Sequence, residues 1–460
     1  MMELLPRELN EIILAILPIP DKRNLIRCNT KLNKISIEQY EDEFLKTILN
    51  TKFLGYDKYP KRITMIERYT LEMIYYGYDK LIPQRYICHK NELLYKYPKL
   101  YFNCAINNHI GILKILMGCN KTYLTRITHG AAYGGHLEML KWVRKNGHDW
   151  NISTCTSTCT YAAENGHLEV LKWARDNGCN WDETTCSRAA LNGHLEVLKW
   201  AHGNGCNWNI WTCACAAING HLEVLKWALD NGCNWDVWTC AYAAKNGHLE
   251  VLKWARDNGC NWDVWTCAYA AKNGQLEVLK WARDNGCIWD EWTCAYAAKN
   301  GHLEVLKWSR GNGCDWDSWT CAHAALNGHL EVLKWARDNG CDWNECTCRN
   351  AAENGHLEVL KWARKNGCGW DSYICSSAAK NGHLEVLKWA RDNGCDWTFY
   401  TCTNAAENGH LEVLKWAREN GCDWDSYICA CAAKSNGHME VLIWVLDNDS
   451  DLVSTEFGQK

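Results

Sequence analysis

Apolar and polar positions follow a helical rhythm that restarts every 27 residues through most of the chain. In the stretch from Trp238 to Asp263, the segment Thr239-Cys-Ala-Tyr-Ala-Ala-Lys245 is built from small, helix-compatible residues and predicts a first helix, with Thr239 placed to cap it. Asn246-Gly247 ends that helix, because glycine adopts left-handed backbone at little cost. His248-Leu-Glu-Val-Leu-Lys-Trp-Ala-Arg-Asp257 predicts a second helix. Leu249, Leu252 and Ala255 recur at intervals of three, flanked by Val251 and Trp254, so one side is apolar. Glu250, Lys253, Arg256 and Asp257 occupy the other side, where Glu250 and Lys253 have pairing distance. Asn258-Gly259 stops this helix, and Cys260-Asn-Trp-Asp263 leads into the next unit.

The residue after the first helix's closing glycine falls at 136, 167, 194, 221, 248, 275, 302, 329, 356, 383, 410 and 438, and is histidine everywhere except Gln275. Between 167 and 410 the step is 27 without exception. A degenerate copy, Ala105 to Leu116, places His109 27 residues before His136 and brings the count to about thirteen. Units of this length cannot bury a core alone, so they stack. The expected fold class is all-α: a solenoid of about thirteen helix pairs, with a small helical domain before it. The expected divisions are residues 1–50, a helical linker or cap at 51–100, the array at 101–447 and a tail at 448–460.

The run Ala243-Ala-Lys-Asn-Gly-His-Leu-Glu-Val-Leu-Lys253, followed by Asp257-Asn-Gly-Cys-Asn261, resembles the ankyrin repeat. The resemblance recurs a dozen times across roughly residues 101 to 447. It implies a protein-binding scaffold with no catalytic site. The unit is 27 residues long against about 33 in the family, and the shortfall lies where ankyrins carry a β-hairpin finger. No hairpin is therefore expected. Trp-Thr-Cys-Ala also stands where the family has Thr-Pro-Leu-His. Such short, Trp- and Cys-rich units resemble the ankyrin-like arrays of giant DNA viruses.

Composition follows from this repetition. Of 29 cysteines, eleven occupy one position of the first helix (Cys159 to Cys429) and ten follow the second glycine (Cys179 to Cys422). No Cys-x-x-Cys pair occurs, and equivalent cysteines in adjacent copies lie at helix-packing spacing, too far apart for a disulfide. They read as small buried hydrophobes, with a metal or redox role as the alternative, and the ankyrin resemblance implies helix-start and inter-repeat hydrogen bonding for the regular histidines. No metal and no cofactor are expected. No phosphate loop, nucleophile motif or catalytic carboxylate pair is visible, so no enzyme is expected.

The 28 tryptophans form three columns: one in the second helix, one in the loop after it, and five at the start of the first helix (Trp211, Trp238, Trp265, Trp292 and Trp319). The first two barely vary between copies and read as inter-repeat packing. The third varies, which marks positions that stacking does not dictate. Trp238, Trp265 and Trp292, together with Lys245, Lys272 and Lys299, are the candidate target-binding residues. Tyr242, Tyr269 and Tyr296 recur with them.

The first 100 residues do not repeat. They hold 17 Lys/Arg against 13 Asp/Glu, a net of +4, which leaves −8 for the rest of a chain whose net charge is −4. Leu5-Pro6-Arg-Glu8-Leu9, Ile12-Ile13, Leu17, Asp21, Leu25 and Cys28 resemble an F-box, with Lys31-Leu32-Asn33 where the family closes on Trp or Leu. The resemblance implies that Leu5, Pro6, Leu9, Ile12, Ile13, Leu17 and Leu25 bind a Skp-type adaptor of a cullin-RING ubiquitin ligase. A plain helical cap for the solenoid is the alternative. Bulk charge argues against nucleic acid, and apolar runs such as Ile12–Leu17 are too short for a membrane span. With no secretory leader visible, the expectation is a monomer in the cytoplasm, the host's if the chain is viral, that binds one adaptor and one unidentified target.

Overall fold

The computed structural model describes residues 100–117, 123–147 and 152–449. Among the described residues there are 26 helices, paired into thirteen copies, and no strand. The hairpin expected to be missing is absent from every described copy. Leu5, Pro6, Leu9, Ile12, Ile13, Leu17 and Leu25 lie outside the described residues.

The chain divides into two compact units between Ala131 and Ala132. In the first, Leu100–Ile106 and Ile110–Met117 form a helix pair that buries Tyr101, Cys104, Ala105, Ile112 and Leu113. The Tyr101 ring stacks on Tyr123 at 4.3 Å. The second unit carries the regular copies.

One copy shows how each is built. Its first helix, Val237–Lys245, begins at Asp236, whose carboxylate accepts from the Trp238 backbone N–H at 3.1 Å. Thr239, expected to cap the helix, lies inside it and is fully buried. Both residue types satisfy the cap rule; the register of the helix start selects the aspartate. Asp182, Asn209, Asp263, Asp290, Asp317 and Asn344 do the same in other copies. Each Asn-Gly pair then closes its helix with one motif. Gly247, at φ +81, donates to Ala244 O and His248 donates to Ala243 O; Gly259 and Cys260 repeat the arrangement on Arg256 O and Ala255 O. This double bond satisfies carbonyls that a helix end otherwise leaves unpaired.

Consecutive first helices of the second unit lie side by side, whereas consecutive second helices scarcely touch. The reason is side-chain size. Thr239, Cys240, Ala241, Ala243 and Ala244 are all buried, and such small residues let neighbouring backbones approach. Leu252 and Val251 of the second helix, Leu249–Asp257, supply the larger buried groups. Lys253 pairs with Glu250 at 2.9 Å on the solvent side, a contact that adds only tenths of a kcal/mol.

Two columns clasp each copy to the next. His248 projects over Gly220 of the preceding copy and its Nε2 hydrogen-bonds Ile218 O at 3.0 Å; His194, His302, His356 and His410 repeat the bond. The histidine stands at the helix start but makes no capping bond. Gln275 occupies the same slot over Gly247. In the second column, Trp235 packs edge-on against Trp254 of the next copy at 5.7 Å, as Trp262 does on Trp281 and Trp289 on Trp308. Arg256 covers the Trp262 ring at 4.1 Å and donates to Cys260 O at 2.6 Å. Both constant tryptophan columns are thus inter-repeat contacts, half-buried rather than fully enclosed.

The histidine column predicts a pH dependence. His167, His221, His329 and His383 are held below the ordinary imidazole pKa, first by burial, with neighbouring histidines of the column adding to the effect. Below about pH 6.5 the unfolded chain takes up these protons before the folded chain does. Stability is therefore lost as the pH falls through that window. The melting temperature is expected to drop between pH 7 and pH 5, and a flat profile would show that the column does not titrate differently on folding.

Candidate functional site

In the first helices, Trp238, Tyr242 and Lys245 stand four and three residues apart, so they share one face. Stacking brings the equivalent faces together into a ladder. Trp238 lies 5.8 Å from Tyr242 of its own copy and 6.1 Å from Tyr269 of the next. Trp265 repeats this with Tyr269 and Tyr296, and Trp292 with Tyr296 and His323. Trp211 joins at one end through Tyr242, and Trp319 at the other through His323.

Five copies therefore present a single run of rings. Its ends are the more open parts: Trp211 is 47%, Trp292 38% and Trp319 48% exposed, whereas Trp238 and Trp265 are half-buried between tyrosines. Packing on the next copy and exposure to solvent thus occur together in one column: Trp292 is 38% exposed and lies 6.2 Å from His323 of the next copy. The run breaks at Cys346 and Arg349; Arg349 pairs with Asp371 and covers the Tyr373 ring at 4.9 Å. Beyond it Tyr373, Tyr400 and Tyr427 are each about half exposed.

The lysines edge the ladder. Lys245 lies 5.9 Å from the Tyr242 ring, and Lys272 lies 5.9 Å from Tyr269 and 5.4 Å from Tyr296. Lys299 stands at the same register, and its charge, after burial, holds His323 below the ordinary imidazole value. Tyr242 and Tyr296 are pushed up chiefly by burial, so their hydroxyls stay neutral donors. A face of neutral aromatic rings edged by ammonium groups suits partly apolar, partly acidic protein surface. Trp211, Trp319 and His323 extend the candidate set beyond what the sequence marked. The signal for the two tryptophans was present, since they occupy the same column.

Helix pairs stacked in this way define a solenoid repeat protein. Models of ankyrin repeats match this chain: one for three copies over residues 186–266, and one for many copies over 129–175, 159–202, 294–337 and 321–364. These stretches match ankyrin repeats, and the copies between them and on to His410 keep the same 27-residue step. Among solved structures, the crystal structure of the human ASB11 ankyrin repeat domain is similar, with 20% identity over 35% of this chain and 84% of that one and a TM-score of 0.31. No curated protein matches the chain. Among the described residues no helix is long and apolar enough to cross a membrane.

Proposed function

We propose that this protein recruits a target to a cullin-RING ubiquitin ligase, with residues 1–50 as an F-box-like segment docking a Skp-type adaptor and the array at 101–447 holding the target. Ankyrin repeats are protein-interaction modules, and the observation that carries the reading further is the exposed ring ladder from Trp211 to Trp319. Rigid aromatic groups bury much area at little entropic cost, which is why they dominate binding hot spots. Trp238, Trp265, Trp292, Lys245, Lys272 and Lys299 form the centre of the proposed site. No catalysis is assigned to the array. The proposed setting is the cytoplasm, the host's for a viral chain, with the protein acting as a monomer.

Two substitution sets test the two ends. Trp211→Ala with Trp292→Ala and Trp319→Ala removes the exposed rings, and target affinity is expected to fall at least tenfold while helicity is kept; unchanged affinity would place the target elsewhere. Leu5→Ala with Pro6→Ala is expected to abolish adaptor capture. A folded double variant that still recovers the adaptor, or a wild-type chain that never does, leaves a scaffold or decoy without a ligase link.

A further inference from the structure

The two cysteine columns face each other. Within one copy the first-helix thiol of Cys159 reaches the thiol of Cys179 at 3.5 Å. In other copies the first-helix thiol also lies against the cysteine 20 residues on: the Cys186, Cys321 and Cys375 thiols stand 3.9 to 4.0 Å from the backbone oxygens of Cys206, Cys341 and Cys395. That makes ten facing pairs, and no member is more than 3% exposed. The close approach is not between equivalent cysteines of adjacent copies but between the two columns of one copy.

We propose that each pair is a dithiol–disulfide site, oxidised by a peroxide to a disulfide that ties the first helix of a copy to the turn closing its second helix. The proposal is independent of the ligase reading. Geometry places the Cys159 and Cys179 sulfurs in contact, and they must close by about 1.5 Å to reach bonding distance. Cys260 lies past the helix end, in the non-helical linker before the next copy, so the shift need not distort a helix.

The pair is also chemically asymmetric. Cys213 is held far above the ordinary thiol range, first by its hydrogen bond to Cys233 and then by burial. Cys233 is held below that range, chiefly by the same bond, as are Cys368, Cys395 and Cys422 in their copies. In these four pairs the thiol after the second helix gives up its proton more readily than its partner. The thiolate attacks a peroxide oxygen: an S–O bond forms, the O–O bond breaks, and the departing hydroxide takes up a proton as water. The facing thiol then loses its proton and attacks the resulting sulfenic sulfur, expelling a second water as the S–S bond forms. Two thiols and one hydrogen peroxide give one disulfide and two waters. Cys429 is an internal contrast, because Ser450 stands where its copy would carry the second cysteine.

The test uses the full chain, reduced, then exposed to hydrogen peroxide, quenched, and unfolded in iodoacetamide before non-reducing peptide mapping. Expected are disulfide-linked peptides joining cysteines 20 residues apart, released by dithiothreitol, with Cys429 alkylated. The oxidised chain is expected to melt several degrees higher, because each link closes a loop in the unfolded state. Cys240→Ala should delete the Cys240–Cys260 link alone and leave Cys260 alkylated; Cys267→Ala should do the same for Cys287 if the first variant folds poorly. Full alkylation of the pairs, sulfinic or sulfonic products without disulfides, or links chiefly between chains would overturn the proposal.

Discussion

Replacing Gly220 with alanine is expected to destabilise the array by about 2–3 kcal/mol, whereas the same change at Gly232 in the same copy costs about 1 kcal/mol. Both glycines have positive φ, +76 at Gly220 and +86 at Gly232, so both substitutions carry the left-handed backbone penalty. Their surroundings differ. A Cβ at Gly220 would stand 2.6 Å from Nδ1 of His248, while nothing lies within 4 Å of one at Gly232. Relieving the clash displaces the imidazole and breaks its bond to Ile218 O. The difference between the two variants in urea unfolding therefore measures the inter-repeat histidine contact. Because copies are coupled through nearest neighbours, Gly220→Ala should also split the transition, as the array is weakened at one joint. Equal losses for the two variants would show that the histidine column contributes little to coupling.

Four buried hydroxyls set up the opposite experiment. Thr239, Thr266, Thr293 and Thr320 are fully buried, and their Oγ1 atoms have no hydrogen-bond partner among the described residues. An unmet buried hydroxyl carries a desolvation cost, and valine has the same shape without the polar atom. Each Thr→Val change is expected to stabilise by about 1 kcal/mol, and the four together by roughly 4 kcal/mol if the copies add. The helix start is untouched, because the capping group is the preceding aspartate. A drop in the urea midpoint would mean instead that the hydroxyls are bonded in solution.

The ladder illustrates how far the sequence reached. Its variable tryptophan column was identifiable because copies differ there while their cores do not. Whether Trp265 faces solvent or the next copy was not identifiable, since the answer depends on the distance between neighbouring first helices. That distance follows from alanines and cysteines packed across a stack, and no single copy contains it. The cysteines show the same limit more sharply. A 27-residue period drew attention to equivalents one copy apart, and the contacts that form are between residues 20 apart.

What the sequence determined by itself was local: two helices per unit, their ends at Asn-Gly, and an apolar second-helix side of which Val251, Leu252 and Ala255 are buried and Leu249 is half-buried. Helical periodicity and the backbone freedom of glycine act within a few residues, so they are legible wherever those residues stand. The tertiary structure alone decided that Asp236 rather than Thr239 caps, that His248 reaches back to Ile218, that Trp235 meets Trp254, and that Cys159 faces Cys179. Most of these partners lie 19 to 30 residues apart, brought together by the rise and rotation from one helix pair to the next, and that geometry is fixed by packing across copies rather than by any local preference.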